Sequence, residues 1–229
     1  SFSKILLQRE YVILLLLLTL ILLVLTYIDF QFINIGFLQL HSIDDYAFHG
    51  SLHHMYTGVT SGSIKALFGY GFYQYGFIFF FINLLATAPA FALDNTPLTL
   101  AIPRIVTSLF AVGSLIIIFA FSRLYLEKIP SLLFMLFFIT MPAFWFNATW
   151  FHPDWPMTFF LLGFVYFLTK DNWSYKNNFY IAVLFYALAI SFKYQAITFM
   201  PILGLYIFYD NIKTLNVKNI QREILIFIK

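Results

Sequence analysis

The sequence predicts an all-α integral membrane protein, a multi-span helical bundle with interfacial juxtamembrane helices in its first outer loop. Of the 229 residues, 62% are hydrophobic and only 10% are charged, and the mean hydropathy is +0.86. A soluble domain of this size cannot bury so much apolar surface. Uncharged runs such as 11–28 are long enough to cross most of a bilayer core of about 30 Å.

The composition also excludes several classes of site. The chain contains no cysteine, which excludes disulfides, thiolate catalysis and cysteine metal sites. The net charge is only +3 and the basic residues are dispersed, so no nucleic-acid partner is predicted. Abundant Asn, Lys, Ile and Phe favour a bacterial origin, and we expect the protein in the cytoplasmic (inner) membrane.

The predicted spans follow in order along the chain. No small-residue cleavage site follows the first run, so it is interpreted as a helix and not as a signal peptide. A long outer loop at about 31–101 comes next, and "SFKYQ" at 191–195 splits the last apolar region into two short helices. The predicted spans are 11–30, 102–122, 131–150, 155–170, 179–192 and 195–210. Because the closing "EILIFIK" resembles the opening of another span, we expect 1–229 to be the N-terminal part of a larger transmembrane domain.

Charge placement decides whether the apolar run 72–93 is a further span, because cytoplasmic ends collect Lys and Arg. If the run does not span, nine basic residues lie on the cytoplasmic side: Lys4, Arg9, Arg123, Lys128, Lys170, Lys176, Lys213, Lys218 and Arg222. Three then lie on the outer side, namely Lys65, Arg104 and Lys193. If it does span, the count becomes four inside against eight outside. The run 72–93 is therefore predicted to be interfacial or re-entrant.

This topology places the ionisable chemistry on the non-cytoplasmic side. All five histidines fall there, namely His41, His49, His53, His54 and His152. The aspartates there are Asp29, Asp44, Asp45, Asp94 and Asp154. Ionisable groups at a bilayer boundary are costly, which makes them candidates for function.

The densest group is "HSIDDYAFHGSLHH" at 41–54. A short helix is predicted here, capped by Ser42 or Asp44 and ended by Gly58. On it Asp44 shares a face with Phe48, Leu52 and Met55, while Asp45 shares the adjacent face with His49, His53 and Tyr56. Two alternatives stay open: a purely amphipathic interfacial helix in which Asp44 only caps, and an Asp/His site for a divalent metal along Asp45, His49 and His53.

An acidic pair after a first helix, then Tyr-Ala and a methionine, resembles the GT-C glycosyltransferases. Within them the chain is most similar to the protein O-mannosyltransferases and to aminoarabinose and other polyprenyl-phosphate-sugar transferases. Asp44 matches their first acid and Met55 their methionine. Four later stretches resemble the same family in the same order: "YGFYQYGFIFFFINLL", "AIPRIVTSLFAVGSLIIIF", "FHPDWPMTFFLL" and "LAISFKYQAITFMPIL".

The resemblance implies transfer of a sugar from a polyprenyl phosphate to a lipid, glycan or protein acceptor outside the cytoplasmic membrane, with inversion at the anomeric carbon. It implies a carboxylate base, for which Asp44 is the candidate beside Asp45. A cation must hold the donor phosphate, and Lys193, Arg104 and Lys65 are the candidates. An apolar groove for the prenyl chain is expected at 72–81. Candidates to orient acceptor or donor are His152, Asp154 and His49.

The chain departs from the family pattern at two places. The second acid is Asp45 in place of glutamate, and the Lys/His-Pro-Pro segment reads Gln74-Tyr75-Gly76-Phe77, without its cation and prolines. Arg104 and Lys193 have an alternative interpretation as helix-end anchors whose charges reach the headgroups. His152 and Asp154 also have an alternative interpretation, as caps of the helix that starts at the neighbouring prolines.

Three other functions compete with this one. A transporter or channel subunit would need ionisable residues at mid-membrane depth, whereas the acids here lie at the ends of the spans. A non-catalytic membrane assembly subunit would keep the fold without the activity. An oligosaccharyltransferase or ligase of the same architecture is the third.

Overall fold

The computed structural model describes residues 9–170, 177–201 and 204, and every regular element within these ranges is a helix. The all-α class is therefore confirmed. Helices satisfy the backbone hydrogen bonds that a bilayer cannot. The chain divides into two compact units, one ending at Tyr194 and one beginning at Gln195. All that follows concerns the first unit, and the sixth predicted span, 195–210, lies largely outside the described residues.

Helix α1, Arg9–Asp29, has 21 residues and at about 1.5 Å per residue is long enough to cross a membrane. One stripe of it is buried, formed by Leu14, Leu18, Ile21 and Leu25. The spacing of three or four residues puts these side chains on one helix face. That stripe packs against the helix that follows the outer loop, while most other α1 side chains are exposed.

The segment predicted to be the outer loop, which keeps that name below, contains three helices and one short 3₁₀ segment: α2 Ile35–His41, α3 Ile43–Thr60, the 3₁₀ segment Ile64–Phe68 and α4 Phe77–Ala92. Helix α3 begins after Ser42, as predicted, but continues two residues beyond Gly58. Helix α4 has 16 residues, about 24 Å, which is shorter than a bilayer core of about 30 Å. It is not among the helices long enough to span, and its interfacial placement stays a prediction.

Helix α3 buries Asp45 together with Phe48, Leu52 and Met55, at spacings of three and four residues. The sequence analysis had placed Asp44 on that apolar face and Asp45 beside it. The structure reverses this order, because Asp45 is buried and Asp44 is exposed. Phe48 sits at the centre of an aromatic cluster that includes Phe72, Phe79 and Phe80.

Five helices follow the outer loop: α5 Thr96–Ser122, α6 Lys128–Ile139, α7 Pro142–Ala148, α8 Asp154–Lys170 and α9 Asn177–Phe192. Helix α5 starts before the predicted span because Asn95 caps it, accepting a hydrogen bond from the Leu98 amide at 3.2 Å. The predicted span 131–150 is instead two helices bent by 66° near Pro142. Helix α9 ends inside the predicted interruption, and a 3₁₀ segment, Tyr194–Phe199, follows.

Helices α8 and α9 pack closely at Gly163 of α8, where the missing side chain makes room for the Phe185 ring of α9. A Cβ on Gly163 would lie only 2.1 Å from that ring. This packing brings the last residues of α9 beside the first residue of α8. Of the described helices, α1 and α5 are long and apolar enough to cross a membrane, and the bent pair α6–α7 would be a third span. Several basic residues used in the charge count lie outside the described part: Lys4, Lys176, Lys213, Lys218 and Arg222.

Candidate active site

A buried ion pair joins the first helix turn of α3 to α5. Asp45 is 2% exposed and Arg104 is 3% exposed. Arg104 donates from Nη2 and Nε to Asp45 Oδ2, at 2.7 Å and 3.1 Å. It also donates from Nη1 to the carbonyl of Phe32 at 2.7 Å, while Asp45 Oδ1 accepts from the Phe151 amide at 3.1 Å. Because both charges are desolvated, each needs the other to be tolerated there.

This pair changes the roles expected for its two members. The sequence analysis gave Arg104 to the donor phosphate and Asp45 to catalysis. In the structure the Arg104 guanidinium is directed at Asp45 and the Phe32 carbonyl, and the Asp45 carboxylate is enclosed. The pair therefore positions two segments: α3, which carries Asp44, and the Phe151 segment, which leads into α8.

A second buried carboxylate, Asp29 at the end of α1, adjoins the pair. Ser108 Oγ on α5 lies 3.1 Å from Asp29 Oδ2 and 2.9 Å from the Ala148 carbonyl that ends α7. These contacts join α1, α5 and α7 at the level of the Asp45–Arg104 pair. The sequence analysis counted Asp29 among the outer acids without assigning it a partner, because Ser108 is 79 residues away along the chain.

Asp44 is exposed, one residue before the enclosed Asp45. Its charge acts on Tyr75, in the loop before α4. Burial raises the pKa of Tyr75, and the negative charges of Asp44 and Asp154 raise it further. Two carboxylates from different parts of the chain thus influence one tyrosine. Because Asp44 is open to its surroundings, an incoming molecule can reach its carboxylate.

Lys193, Asp154 and His152 form an ionic group beside that tyrosine. Lys193 is buried and donates to Asp154 Oδ1, while His152 Nδ1 lies 2.8 Å from Asp154 Oδ2. Burial acts to raise the pKa of Asp154, but His152 and Lys193 outweigh it and lower the pKa to about 2. Asp154 therefore carries its charge at neutral pH and holds the lysine in place.

Tyr75 is the centre of this arrangement. The Lys193 ammonium lies 5.6 Å from its ring centre, and the His152 ring lies 5.5 Å from it. We call the five residues the Asp44–Lys193 cluster: Asp44, Tyr75, His152, Asp154 and Lys193. Four of them were predicted as site residues, and the tyrosine was not. An aromatic residue in so aromatic a chain gives no signal by itself.

The other candidates lie elsewhere. Lys65 is exposed on the 3₁₀ segment Ile64–Phe68, and His49 lines a separate cavity together with His53. The segment 72–81 does not form an open groove throughout, because Phe79 and Phe80 are fully buried around Phe48. Among the described residues no group of three potential metal ligands is found, and Asp45 is committed to Arg104, so the proposed Asp45–His49–His53 metal site has no support.

The Gln74-Tyr75-Gly76-Phe77 departure has a structural use. Tyr75 pairs with Lys193 as an isolated antiparallel bridge, and the Gly76 amide donates to the Phe192 carbonyl at 3.0 Å. A Cβ at Gly76 would lie 1.7 Å from the Ser191 carbonyl oxygen, so only glycine permits this approach. The segment that lacks its own cation is thus held against the lysine at the end of α9.

Replacing Gly76 with Ala is expected to destabilise the protein by about 1–3 kcal/mol, because the added methyl group overlaps backbone that cannot move freely. The matched control is Gly50→Ala on α3, where an added Cβ meets no atom within 4 Å. Thermal unfolding of both purified variants in one detergent measures the difference. Equal melting temperatures for the two would show that the loop does not rest on α9 as described.

The buried side of α3 gives a pH-dependent stability. Burial, and then the charge of His53, lowers the pKa of His49 from 6.5 to about 4. Between these pH values His49 is protonated in the unfolded chain but stays neutral in the folded chain. The contribution of His49 to folding stability is therefore fully present above pH 6.5 and is lost as the pH drops towards 4. We expect His49→Gln to lose less melting temperature than the parent protein between about pH 7.5 and about pH 5. The exposed His54→Gln should match the parent, and identical losses in all three would contradict this burial.

The helical bundle and the comparison with known families together identify an integral membrane glycosyltransferase of the GT-C type. The family profile described as dolichyl-phosphate-mannose-protein mannosyltransferase matches residues 99–228, more than half of the chain. The chain belongs to this family. The matched range includes Arg104, His152, Asp154 and Lys193, while Asp44 and Asp45 precede it. Comparisons with curated proteins and with solved structures return no match.

Proposed function

We propose that the protein transfers a sugar from a polyprenyl-phosphate donor to an acceptor on the non-cytoplasmic face of the membrane. Asp44 acts as the general base, and the anomeric carbon is inverted. The observation that carries the proposal is an exposed carboxylate, Asp44, whose charge acts on the same tyrosine that lies beside the Lys193 ammonium. A base and a phosphate-binding cation are the two groups that such a transfer requires.

The reaction forms one bond and breaks one. The acceptor hydroxyl oxygen bonds to the anomeric carbon as its proton passes to Asp44, and the bond from that carbon to the phosphate oxygen breaks. Polyprenyl phosphate leaves with the bonding electron pair. Direct displacement from the side opposite the phosphate inverts the configuration, which requires the base and the cation to lie on opposite sides of the sugar.

Lys193 is suited to hold the phosphate. An ammonium has three N–H groups, and Asp154 accepts a hydrogen bond from one of them, which leaves two for a phosphate. The leaving phosphate gains negative charge in the transition state, and a fixed cation stabilises it without reorganisation. His152 lies at the other oxygen of Asp154, where it orients that carboxylate or contributes a further hydrogen bond to the donor.

The prenyl tail requires an apolar passage next to the phosphate. A cavity of about 620 Å³ with an almost wholly apolar lining lies between α5, α8 and α9. Phe110, which lines it, is 5.5 Å from Phe192 between ring centres, and Phe192 directly precedes Lys193. We assign the first isoprene units of the sugar donor to this cavity, since its lining residue Phe110 contacts Phe192, the residue next to the phosphate-binding lysine.

Sidedness and cellular location rest on the sequence. The nine-to-three distribution of basic residues favours the Asp44–Lys193 cluster on the non-cytoplasmic side, and the composition favours a bacterial inner membrane. Lipid, glycan and protein acceptors are all compatible with an exposed Asp44.

The test is a transfer assay with the purified protein in liposomes that contain polyprenyl-phosphate mannose and a cell-envelope extract as the acceptor source. We expect polyprenyl phosphate to be released in proportion to the mannose transferred, and the product to show the anomeric configuration opposite to the donor's by NMR. Product with retained configuration would exclude direct displacement. Bound donor with no turnover would favour the non-catalytic assembly subunit.

A further inference from the structure

A second cavity, of about 460 Å³, lies on the opposite face of α3 from Asp44. At about 100° per residue, the α3 residues that line it centre roughly 180° around the helix from Asp44. They are Tyr46, Ala47, His49, Gly50, His53, Tyr56 and Thr57. No member of the Asp44–Lys193 cluster lines this cavity, so the proposed reaction leaves it without a role.

Aromatic rings form much of the wall of this cavity. Tyr56 and Phe91 stack with ring centres 5.1 Å apart and planes 22° apart, and Tyr46 borders the cavity with 40% of its surface exposed. The two tyrosines combine a flat apolar ring with a hydroxyl group at its edge. Such a wall accepts a ligand that has apolar faces and hydrogen-bonding edges.

The polar groups are suited to neutral hydroxyls. His49 Nε2 lies 2.9 Å from Thr99 Oγ1, and its lowered pKa keeps the imidazole neutral near pH 7, with one nitrogen donating and one accepting. Asp94 borders the cavity and has a φ of 51°, in the left-handed region that few residues other than glycine adopt. A carboxylate accepts up to two neighbouring hydroxyls through its two oxygens.

The charge of the lining selects against anions. Among the described residues that border the cavity none is lysine or arginine, and the one carboxylate is Asp94. A phosphate or a sulfated ligand would be repelled by that carboxylate and would find no lysine or arginine. A pyranose ring has apolar C–H faces, several hydroxyl edges and no charge, which matches both the wall and the polar groups.

We propose that this cavity binds a neutral sugar unit of a glycan, separate from the sugar that the donor delivers. The ring rests against Tyr56, and its hydroxyls bond to Asp94 and His49. The position on the opposite face of α3 makes it an accessory site, which would hold a glycan-bearing molecule at the membrane surface. Its existence does not depend on the role of Asp44.

Saturation-transfer NMR with methyl α-mannopyranoside and the full chain in lipid nanodiscs tests this site. Nanodiscs are required because sugar-headed detergents would compete. We expect the probe signal to fall about fivefold or more in Tyr56→Ala and in Asp94→Asn, and to persist in Tyr56→Phe, which keeps the ring. Asp44→Asn and Lys193→Met should bind the probe as the parent does, since neither lines the cavity.

Three outcomes would overturn the proposal. One is that the parent protein gives no probe signal under conditions that detect binding with a Kd of about 1 mM or tighter. Another is an unchanged signal in Tyr56→Ala and Asp94→Asn variants that keep the parent's melting temperature. The third is displacement of the probe by polyprenyl-phosphate mannose, which would assign the sugar to the donor. Loss of transfer in Asp44→Asn with normal probe binding separates this site from the proposed reaction.

Discussion

Asp44→Asn is expected to reduce sugar transfer by about 10²–10⁴-fold, the contribution of a well-placed general base. Asparagine keeps the size of the side chain but cannot take the acceptor proton. Because Asp44 is exposed, the exchange should leave the melting temperature almost unchanged. The measurement is initial transfer rate with saturating donor, together with thermal unfolding of the same preparation.

The matched control is Glu127→Gln, which also neutralises an exposed acid but lies at the start of α6, away from the cluster. It should transfer sugar at the parent rate. Donor affinity should change little in Asp44→Asn, since in the proposed reaction Lys193 and not Asp44 holds the phosphate. A near-normal rate in Asp44→Asn would show that another group takes the proton, and Asp45 could not readily replace it because Arg104 occupies it.

Asp45→Asn is expected to cost about 3–5 kcal/mol of folding free energy, because it leaves the buried Arg104 charge without its partner. Arg104→Met should cost a similar amount for the opposite reason. The double variant Asp45→Asn/Arg104→Met removes both charges and should be less destabilised than either single variant. Thermal and denaturant unfolding in one detergent compare the three.

Activity in these variants separates positioning from catalysis. Because the pair fixes α3 and the Phe151 segment, Asp45→Asn should lower transfer through misplacement of Asp44 and His152. The double variant, with its fold restored in part, should recover some transfer if Asp45 only positions. Additive losses of stability would contradict the buried pair. Complete inactivity of a well-folded double variant would instead assign Asp45 or Arg104 a direct part in the reaction.

Local chemistry predicted the helical class and a helix start at Ser42 or Asp44, and it selected "HSIDDYAFHGSLHH" as the candidate region. It did not decide which of two adjacent aspartates is buried. Asp44 and Asp45 lie about 100° apart on a helix, and each shares apolar neighbours at a spacing of three or four residues. Asp45 is the buried one because its carboxylate accepts hydrogen bonds from the guanidinium of Arg104, which is 59 residues away along the chain.

Tyr75, the centre of the candidate site, could not be predicted from the sequence because its contacts are far away along the chain. Tyr75 lies beside Lys193 only because Gly76 allows the loop to pack against the end of α9. Gly76 and Lys193 are 117 residues apart along the chain. Lys193 and Asp154 were both identified as candidates through the family resemblance of "LAISFKYQAITFMPIL" and "FHPDWPMTFFLL". Their pairing depends on the close packing of α8 on α9, which single-residue patterns do not encode.

Native mass spectrometry of the lipid that copurifies with the protein tests the central claim most directly. The expected result is a polyprenyl phosphate carrying one sugar on the parent and on Asp44→Asn, with its occupancy strongly reduced in Lys193→Met. Lys170→Met, which removes a lysine at the far end of α8, should keep the lipid. Equal occupancy of such a lipid in Lys193→Met and the parent, or purified parent that holds none after exposure to it, would contradict donor binding at the Asp44–Lys193 cluster.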